Sequence, residues 1–512
     1  MKRRRIKNIS ICLCLLLAAV LAWRFTGCDF AYFASRAGHL GDLITQMFPP
    51  DTAYFANILS PLLITVRMAV TGTVLGSLLA LIIAPLCAAN VGFNAGIRIV
   101  LRIIVQVLRS FPALILALFA TFIFGIGTFA GTFALTLFTF AIMTRLTYED
   151  IEASAGGAFK ALSVIGTGRA VNFYRTIFPQ ILPSFLTNAL YLLETNVRHS
   201  SILGYVGAGG IGILLNEKVS WREYSRVGTI LLALFIIVCA AEWLSSVLSA
   251  VVRGEKNTSE RGKKLIAAAF AIVFIISFAG TGLPDFSHTA WKIVQNMADG
   301  FIHPDMEFFF GTSKTDLGRL ILETIAISYL GTLFGTIPAL LLAFLNSPRI
   351  VKRAPALIFR IIIMMIRSVP FIIYGLIIIR VTGAGAFAGV LTMGVCSIGL
   401  LSKRFTEAID ALDMRAYRAL RNMGVSAGVA VCRAILPQLW PVIASSILYR
   451  FDVNFREASV LGLVGAGGIG TTLILAMNKY MWSTVGAIFI GMVIMVWLID
   501  IFSGFLRQSI QK

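Results

Sequence analysis

The same text is written twice in this chain at a fixed interval. Arg109-Ser110-Phe111-Pro112 returns as Arg367-Ser368-Val369-Pro370, and the nine residues from Gly204 to Gly212 (GYVGAGGIG) return as Gly462 to Gly470 (GLVGAGGIG). One interval, 258 residues, separates both pairs. A single offset held across roughly a hundred residues requires two ungapped copies of one folding unit. A looser element, Gly72-Thr73 with Gly76, returns as Gly331-Thr332 with Gly335 at an offset of 259, so one residue is gained or lost before the Arg-Ser-x-Pro segment. Duplication of this kind builds transport machinery from two halves that face one pathway.

Composition identifies the solvent. Of 512 residues, 58% are hydrophobic and 13% charged, and the mean hydropathy is +0.87. These values describe a polytopic membrane protein. Apolar runs near the ~20 residues that cross a bilayer lie at 9–26, 62–89, 103–126, 128–145, 180–197 and 228–250, and again at 265–282, 323–346, 357–380, 383–401, 438–453 and 484–506. The reading is all-α, with about twelve spans in two parallel pseudo-two-fold repeats. The first repeat is residues 1–252, a basic linker is residues 253–264, and the second repeat is residues 265–512. Six spans per half bring both copies into the membrane in one orientation, unlike inverted repeats.

The net charge of +20 follows the loops. Basic residues gather at Lys2 to Lys7, at Arg253 to Lys264, and at Arg349, Lys352 and Arg353. By the positive-inside rule these loops and both termini of a multi-pass membrane chain are expected to be cytosolic. Loops on the other side, Gly27 to Ser60 and Thr281 to Asp316, carry more acid: Asp29, Asp42, Asp51, Asp285, Asp299, Asp305, Glu307 and Asp316. This pattern excludes a nucleic-acid surface. The seven cysteines have no metal-ligand spacing and no disulfide framework. Thr26-Gly27-Cys28 loosely resembles a lipoprotein cleavage site, but Trp23, Arg24 and Phe25 argue for an uncleaved first span.

Between the fourth and fifth spans of each half lies a stretch too polar for the membrane interior, Glu149 to Pro183 and Glu407 to Pro441. At the 258-residue offset, Glu149 aligns with Glu407, Glu152 with Asp410, Ala153 with Ala411, Gly166 with Gly424, and Pro179-Gln180 with Pro437-Gln438. The pattern is acidic-x-x-acidic-Ala, then a glycine, then a Pro-Gln return to the membrane. It suits two short helices broken where glycine admits left-handed backbone and the close approach of another surface. A plain connecting loop is the alternative, and the duplication weighs against it.

These stretches resemble the EAA loops of permease subunits of ATP-binding-cassette importers. The wider set resembles the phosphonate-importer permease family: Met47 to Asp51, the Arg-Ser-x-Pro spans, the acidic loops, Asn196-Val197-Arg198 and Asn454-Phe455-Arg456. The likeness covers nearly all of both halves, so the chain looks like two such permeases fused head to tail. It implies that Glu149, Glu152, Ala153 and Gly166, with Glu407, Asp410, Ala411 and Gly424, form coupling elements for an ATP-binding-cassette ATPase dimer on the cytosolic face. It also implies an extracytoplasmic substrate-binding protein and a small anionic substrate, with membrane lipid around the chain. Two departures stand out. Lys160 and Arg418 occupy a place where an acid is expected, and Gly156-Gly157 weakens the first loop's helix.

The chain carries no nucleotide site of its own, because Gly262-Lys263-Lys264 and Gly311 to Thr315 fail the spacing of a phosphate-binding loop. No catalytic residue, metal site or cofactor is expected. The runs Gly207, Gly209, Gly210 and Gly465, Gly467, Gly468 are read as a gate near the outer mouth, with close helix packing as the alternative. Intramembrane charges are default functional candidates. Arg198 and Arg456 are therefore placed on the pathway, with pairing to Glu194, Asp452 or Glu457 as the competing role. Arg109 and Arg367 are explained equally by snorkelling. The expected function is import of phosphonate-type anions by ATP-driven alternating access. The same machine with phosphite, methionine or a quaternary amine as cargo is the nearest alternative. An ion-coupled carrier is a further one, disfavoured by the scarcity of central acids.

Overall fold

The computed structural model describes residue 13 and residues 16–511, except 92, 93, 155, 156, 256–258, 283–287, 312, 314 and 315. The basic run Lys2 to Lys7, Cys12, Cys14, Gly156, Asp285 and the middle of the linker lie outside the described residues. All regular structure among the described residues is helical. In chain order the helices are α1 (Leu16–Thr26), α2 (Phe30–Gln46), α3 (Phe55–Cys87), α4 (Ala95–Ser110), α5 (Ala113–Phe124), α6 (Thr128–Ala153), α7 (Gly157–Val164), α8 (Arg169–Asn172), α9 (Phe178–Leu203), α10 (Ile211–Ser220) and α11 (Tyr224–Val252). There follow α12 (Glu260–Ala279), α13 (His288–Ile302), α14 (Met306–Phe310), α15 (Leu317–Asn346), α16 (Arg353–Ser368), α17 (Phe371–Thr382), α18 (Ala386–Ala411), α19 (Arg415–Asn422), α20 (Ala427–Ala430), α21 (Leu436–Leu461), α22 (Ile469–Asn478) and α23 (Trp482–Gln511).

Among the described residues nine helical segments are long and apolar enough to cross a membrane, and twelve spans result if each of three bent pairs counts as one. Two of those pairs correct the sequence reading. The runs 103–126 and 357–380 are not straight spans: α4 and α5 meet at 95° and α16 and α17 at 86°. The cause is the proline of the duplicated Arg-Ser-x-Pro segment. Pro112 and Pro370 have no N–H to donate and push the residue before them out of helical angles, so Phe111 (φ −97°, ψ 132°) and Val369 (φ −76°, ψ 124°) are extended. A second correction concerns the acidic loops, which contain the helices α2 and α13.

The polypeptide forms two compact units, and their membership differs from the order of the repeats. One unit contains residues 46–295, the other residues 1–45 with 296–512. In the first, α12 packs along α3, and Gly280 sits so close to the Arg67 guanidinium that a Cβ there would come within 2.9 Å of it. In the second, Trp23 and Phe30 on the leading helices meet Phe334 at ring-centroid distances of 5.9 and 5.5 Å, and Phe30 meets Phe387 at 5.3 Å. Edge-to-face aromatic contacts at these distances are favourable beyond the area they bury. The leading helices of the two repeats are thus exchanged: α1 and α2 pack on helices of the second repeat and α12 on α3 of the first.

Within each unit one helix pair forms the spine, α3 with α6 and α15 with α18. The duplicated Gly-Thr element explains the closeness of both. A Cβ on Gly76 would lie 2.6 Å from the Thr136 carbonyl oxygen, and one on Gly335 would lie 2.7 Å from the Gly394 carbonyl oxygen. Small residues let helix backbones approach where no hydrophobic force separates helix from lipid.

Candidate functional site

The Asn-x-Arg motif builds the same node in both units. Asn196 Nδ2 donates to Thr73 Oγ1 (2.8 Å) and Thr139 Oγ1 (2.7 Å), tying α9 to α3 and α6. Asn454 Nδ2 donates to Thr332 Oγ1 (2.7 Å) and Ser397 Oγ (2.9 Å), tying α21 to α15 and α18. Both asparagines are fully buried. Two residues on, Arg198 Nη2 meets Glu194 Oε1 at 3.1 Å, and Arg456 pairs with Asp452. Each arginine is thus held one helical turn from a buried carboxylate on its own helix, with 16% of its side chain exposed.

The second unit adds a charge pair that the first lacks. Arg450 is 1% exposed. Its Nη2 lies 3.0 Å from Glu457 Oε2, and its Nε donates to Ser397 Oγ at 3.2 Å. The matching positions in the first unit are Leu192 and His199, and the His199 ring packs against Phe138 at 4.9 Å. Sequence reasoning named Glu457 only as a possible partner of Arg456 and passed over Arg450. The signal was present, since an arginine inside the 438–453 run is a buried intramembrane charge that needs a partner.

The glycine runs are tight turns. After Leu203 the chain makes one 3₁₀ turn, and Gly207, Gly209 and Gly210 take φ of 77°, 85° and 75°; Gly465, Gly467 and Gly468 take 84°, 78° and 76°. These angles strain any residue with a Cβ. The turns are also fastened: Ile211 N–H donates to Thr65 Oγ1 (2.8 Å) and Gly127 N–H to the Gly207 carbonyl (3.1 Å). In the second unit Ile469 N–H donates to Thr324 Oγ1 (3.0 Å) and Gly385 N–H to the Gly465 carbonyl (2.9 Å). Close packing, the alternative weighed from sequence, has direct geometric support here.

The two acidic stretches each fold as a short helix, a glycine turn and a second short helix. Each first helix is anchored by an aromatic residue at the same place. Phe159 on α7 is buried against Val91, Ile151, Phe173 and Ile177, and Tyr417 on α19 packs on Phe405, Ile409, Met414 and Ile435. Gly166 (φ 83°) and Gly424 (φ 82°) form the turns, and a Cβ on either would meet open space. After α8 and α20 the helix widens into one π-type turn, Phe173–Ile177 and Val431–Ile435, before Pro179 and Pro437. A widened turn is a usual way to absorb a missing backbone donor.

Two of the acids of these stretches are tied to the preceding long helix, although Glu149, Glu152 and Glu407 remain exposed. Glu152 Oε1 accepts from Ala89 N–H (2.8 Å) and from the Arg102 guanidinium, whose Nε also donates to the Cys87 carbonyl (2.8 Å). Asp410 Oδ1 accepts from Ser347 Oγ (2.7 Å). Both carboxylates therefore brace the end of the preceding long helix, α3 or α15, against α6 or α18. Glu149 pairs with Arg145 one turn back at 2.7 Å. Ala153 and Ala411 are exposed, as are Gly166 and Gly424. Sequence reasoning found the acids but not Arg102 or Ser347, which lie 50 and 63 residues away.

At the opposite ends of the long helices, Met47 to Asp51 and its counterpart dock on the first turn of α11 or α23. Asp51 N–H donates to the Ser225 carbonyl (3.5 Å) and Asp305 N–H to the Ser483 carbonyl (3.0 Å). Here again the side chains diverge. Buried Lys218 lies 3.0 Å from Glu217 and 3.2 Å from Glu223, and Arg226 lies 2.7 Å from Glu223 and 3.4 Å from Asp51. Burial opposes the charge on Lys218, but hydrogen bonds to Glu217 and Glu223 hold its pKa above the ordinary lysine value. Partial desolvation of Glu223 is likewise outweighed by Arg226 and Lys218, which keep its pKa below the usual carboxylate range. In the second unit Ala476, Met481 and Thr484 stand where Lys218, Glu223 and Arg226 stand in the first.

A duplicated, all-helical membrane chain with an acidic, glycine-turned connection in each copy has the construction of a transport permease. The profile of the binding-protein-dependent transport system inner membrane component matches residues 72–253 and 331–512, and the chain belongs to that family. It is similar to the phosphate-import permease protein PhnE of Mycolicibacterium smegmatis, 28% identical over 91% of this chain and 88% of that one. It is also similar to the phosphite transport system permease protein PtxC of Stutzerimonas stutzeri, 37% identical over 37% of this chain and 70% of that one. A third relative is the putative cryptic phosphonate transport system permease protein PhnE2 of Escherichia coli, 34% identical over 24% of this chain and 97% of that one.

Proposed function

We propose that this chain is the membrane permease of an importer for small phosphorus oxyanions, phosphonates foremost. It receives cargo from an extracytoplasmic binding protein and is driven by a separate ATP-binding-cassette ATPase pair. The observation that carries the cargo class is the shared chemistry in the names of its relatives: phosphate, phosphite and phosphonate each present a tetrahedral phosphorus with anionic oxygens. Both termini face the cytosol, in keeping with an even number of spans and with basic residues at the linker.

In this reading the α7 and α19 elements dock on the ATPase pair, and nucleotide shifts the permease only as far as the docked ATPase prefers one of its conformations. Arg198 and Arg456 serve the pathway as tempered cations. Each is neutralised by a carboxylate one turn away, so an oxyanion feels attraction without being held. The glycine turns act as packed stops whose positive-φ residues fix where α10 and α22 leave the longer helices.

The test is uptake into proteoliposomes that hold the chain with its ATPase and binding protein. ATP-dependent accumulation of methylphosphonate, competed by phosphite or phosphate, supports the reading; accumulation of methionine or a quaternary amine instead would reassign the cargo. Gly166→Asp with Gly424→Asp is expected to abolish uptake and ATPase co-purification while the chain stays folded, because aspartate tolerates left-handed angles better than most residues.

A further inference from the structure

The two candidate coupling elements have one geometry and two surface chemistries. At matching places α7 carries Gly157, Lys160 and Ser163 where α19 carries Arg415, Arg418 and Arg421. The aromatic anchors, Phe159 and Tyr417, and the open positive-φ glycines, Gly166 and Gly424, coincide at the repeat offset. At the C-terminal end of the helix the first element presents Val164 and Ile165, 87% and 75% exposed, and the second Asn422 and Met423, the latter 74% exposed. Arg415, Arg418 and Arg421 recur every three residues, so they share one broad face of α19. All three are exposed. Among the described residues the acid that meets this face is Asp413, 3.7 Å from Arg415, with both side chains mostly in solvent. Arg421 spends one N–H on the Val425 carbonyl (2.8 Å), just past the glycine turn, which fixes its fork at the turn's edge.

We infer that the two halves grip their ATPase subunits by different forces: α19 by charge, against an acidic groove, and α7 by apolar contact through Val164 and Ile165. The inference rests on the reading of α7 and α19 as coupling elements. Exposed cations act over the Debye length, so they raise the association rate and make binding salt-dependent. An apolar tip has no such dependence. One chain therefore offers two identical ATPase subunits unequal seats, or offers two different subunits their own seat each. Either way the halves are not interchangeable.

The experiment is native mass spectrometry and salt titration of the full chain co-purified with its ATPase. Salt is raised from about 0.1 M to about 1 M, which shortens the Debye length from roughly 10 Å to 3 Å. The wild type is expected to pass from two ATPase copies to one. The Arg415→Ser/Arg418→Ser/Arg421→Ser variant should hold one copy even at low salt, with affinity for the second weakened about tenfold or more. The triple Arg→Lys variant, which keeps the charge, should recover most of it and guards against misfolding. Val164→Ser/Ile165→Ser should lose the other copy, the one that resists salt.

Equal loss of both copies with salt, or equal sensitivity to changes in α7 and α19, overturns the inference and leaves the coupling reading intact. A wild-type chain that binds no ATPase at any salt overturns both. If the Arg→Ser variant keeps two copies but no longer binds vesicles of phosphatidylglycerol, the basic face serves lipid headgroups and the inference falls.

Discussion

The interior of this chain and its two ends have aged differently since the duplication. Inside, the Asn196 node and the Asn454 node repeat one another bond for bond, with the Thr73 and Thr332 acceptors offset by 259 residues, the other partners by 258, and lengths within 0.2 Å. At the ends, matching positions carry Gly157, Lys160 and Ser163 against three arginines, and Lys218, Glu223 and Arg226 against Ala476, Met481 and Thr484. The difference follows from what each place demands. A buried amide that bridges three helices has no substitute of equal shape and donor count, and an unpaired polar group there is costly. The exposed positions of α7 and α19 face only solvent or a partner, so their chemistry is free to diverge while the backbone beneath stays the same; buried Lys218 is instead replaced together with its partner Glu223 and with Arg226.

The largest effects should come from backbone contacts present in both copies. A Cβ on Gly204 would lie 2.3 Å from Ile213 N, and one on Gly462 would lie 2.2 Å from Thr471 N. Gly204→Ala and Gly462→Ala are each expected to cost about 3 kcal/mol or more, and to cost it equally, read as loss of thermal stability in detergent. Unequal losses would break the equivalence of the cores.

The buried pair found in one unit alone comes next. Glu457→Gln leaves Arg450 buried without its counter-charge, at an expected cost of about 3 kcal/mol. Installing the first unit's residues together, Arg450→Leu with Glu457→His, should stay within about 1 kcal/mol of wild type, because removing both partners leaves no buried charge without its counter-charge. A double variant as unstable as the single one would show that Arg450 is required beyond pairing.

A smaller difference is expected at the braces below α7 and α19. Glu152→Gln removes a charge-assisted bond to Arg102 and weakens the one from Ala89, for about 1 kcal/mol. Asp410→Asn weakens a bond to a neutral hydroxyl and should cost less. Differential scanning of the two variants orders them.

The mildest effect is one of pH. Glu223 has a depressed pKa in the folded protein, so its contribution is full above the unfolded value of about 4.3 and is lost as pH falls through the lower, folded one. Acidification into that window should speed hydrogen exchange at Asp51 to Tyr54 while Asp305 to Phe308 changes less. Glu223→Gln should remove the difference between the two segments.

Much of this was legible in the sequence because it rests on backbone geometry. Glycines that must take positive φ, such as Gly166, Gly207 and Gly210, admit few substitutes and so mark their turns. Pro112 and Pro370 likewise announced a break, although an apolar run on both sides disguised the bend as a single span. The acids of the two polar stretches were visible as a duplicated pattern, yet their partners were not. Arg102 sits 50 residues before Glu152 and Ser347 sits 63 before Asp410, and no helical period links residues so far apart. The pairing of Arg198 with Glu194 is the contrary case, since a spacing of four residues puts them on one helix face.

The sequence by itself determined that the chain is an all-helical membrane protein, that it is two copies of one unit, and where each copy must turn. Those properties follow from apolar run length, a fixed offset and residues with few permitted angles, all of which are local. Only the tertiary structure decided which leading helices pack with which unit. Residues 1–45 join 296–512, and residues 253–295 join the unit of the first repeat. An apolar helix face fits many partners equally well in composition, and the choice among them is made by three-dimensional packing, which the order of residues along the chain does not record.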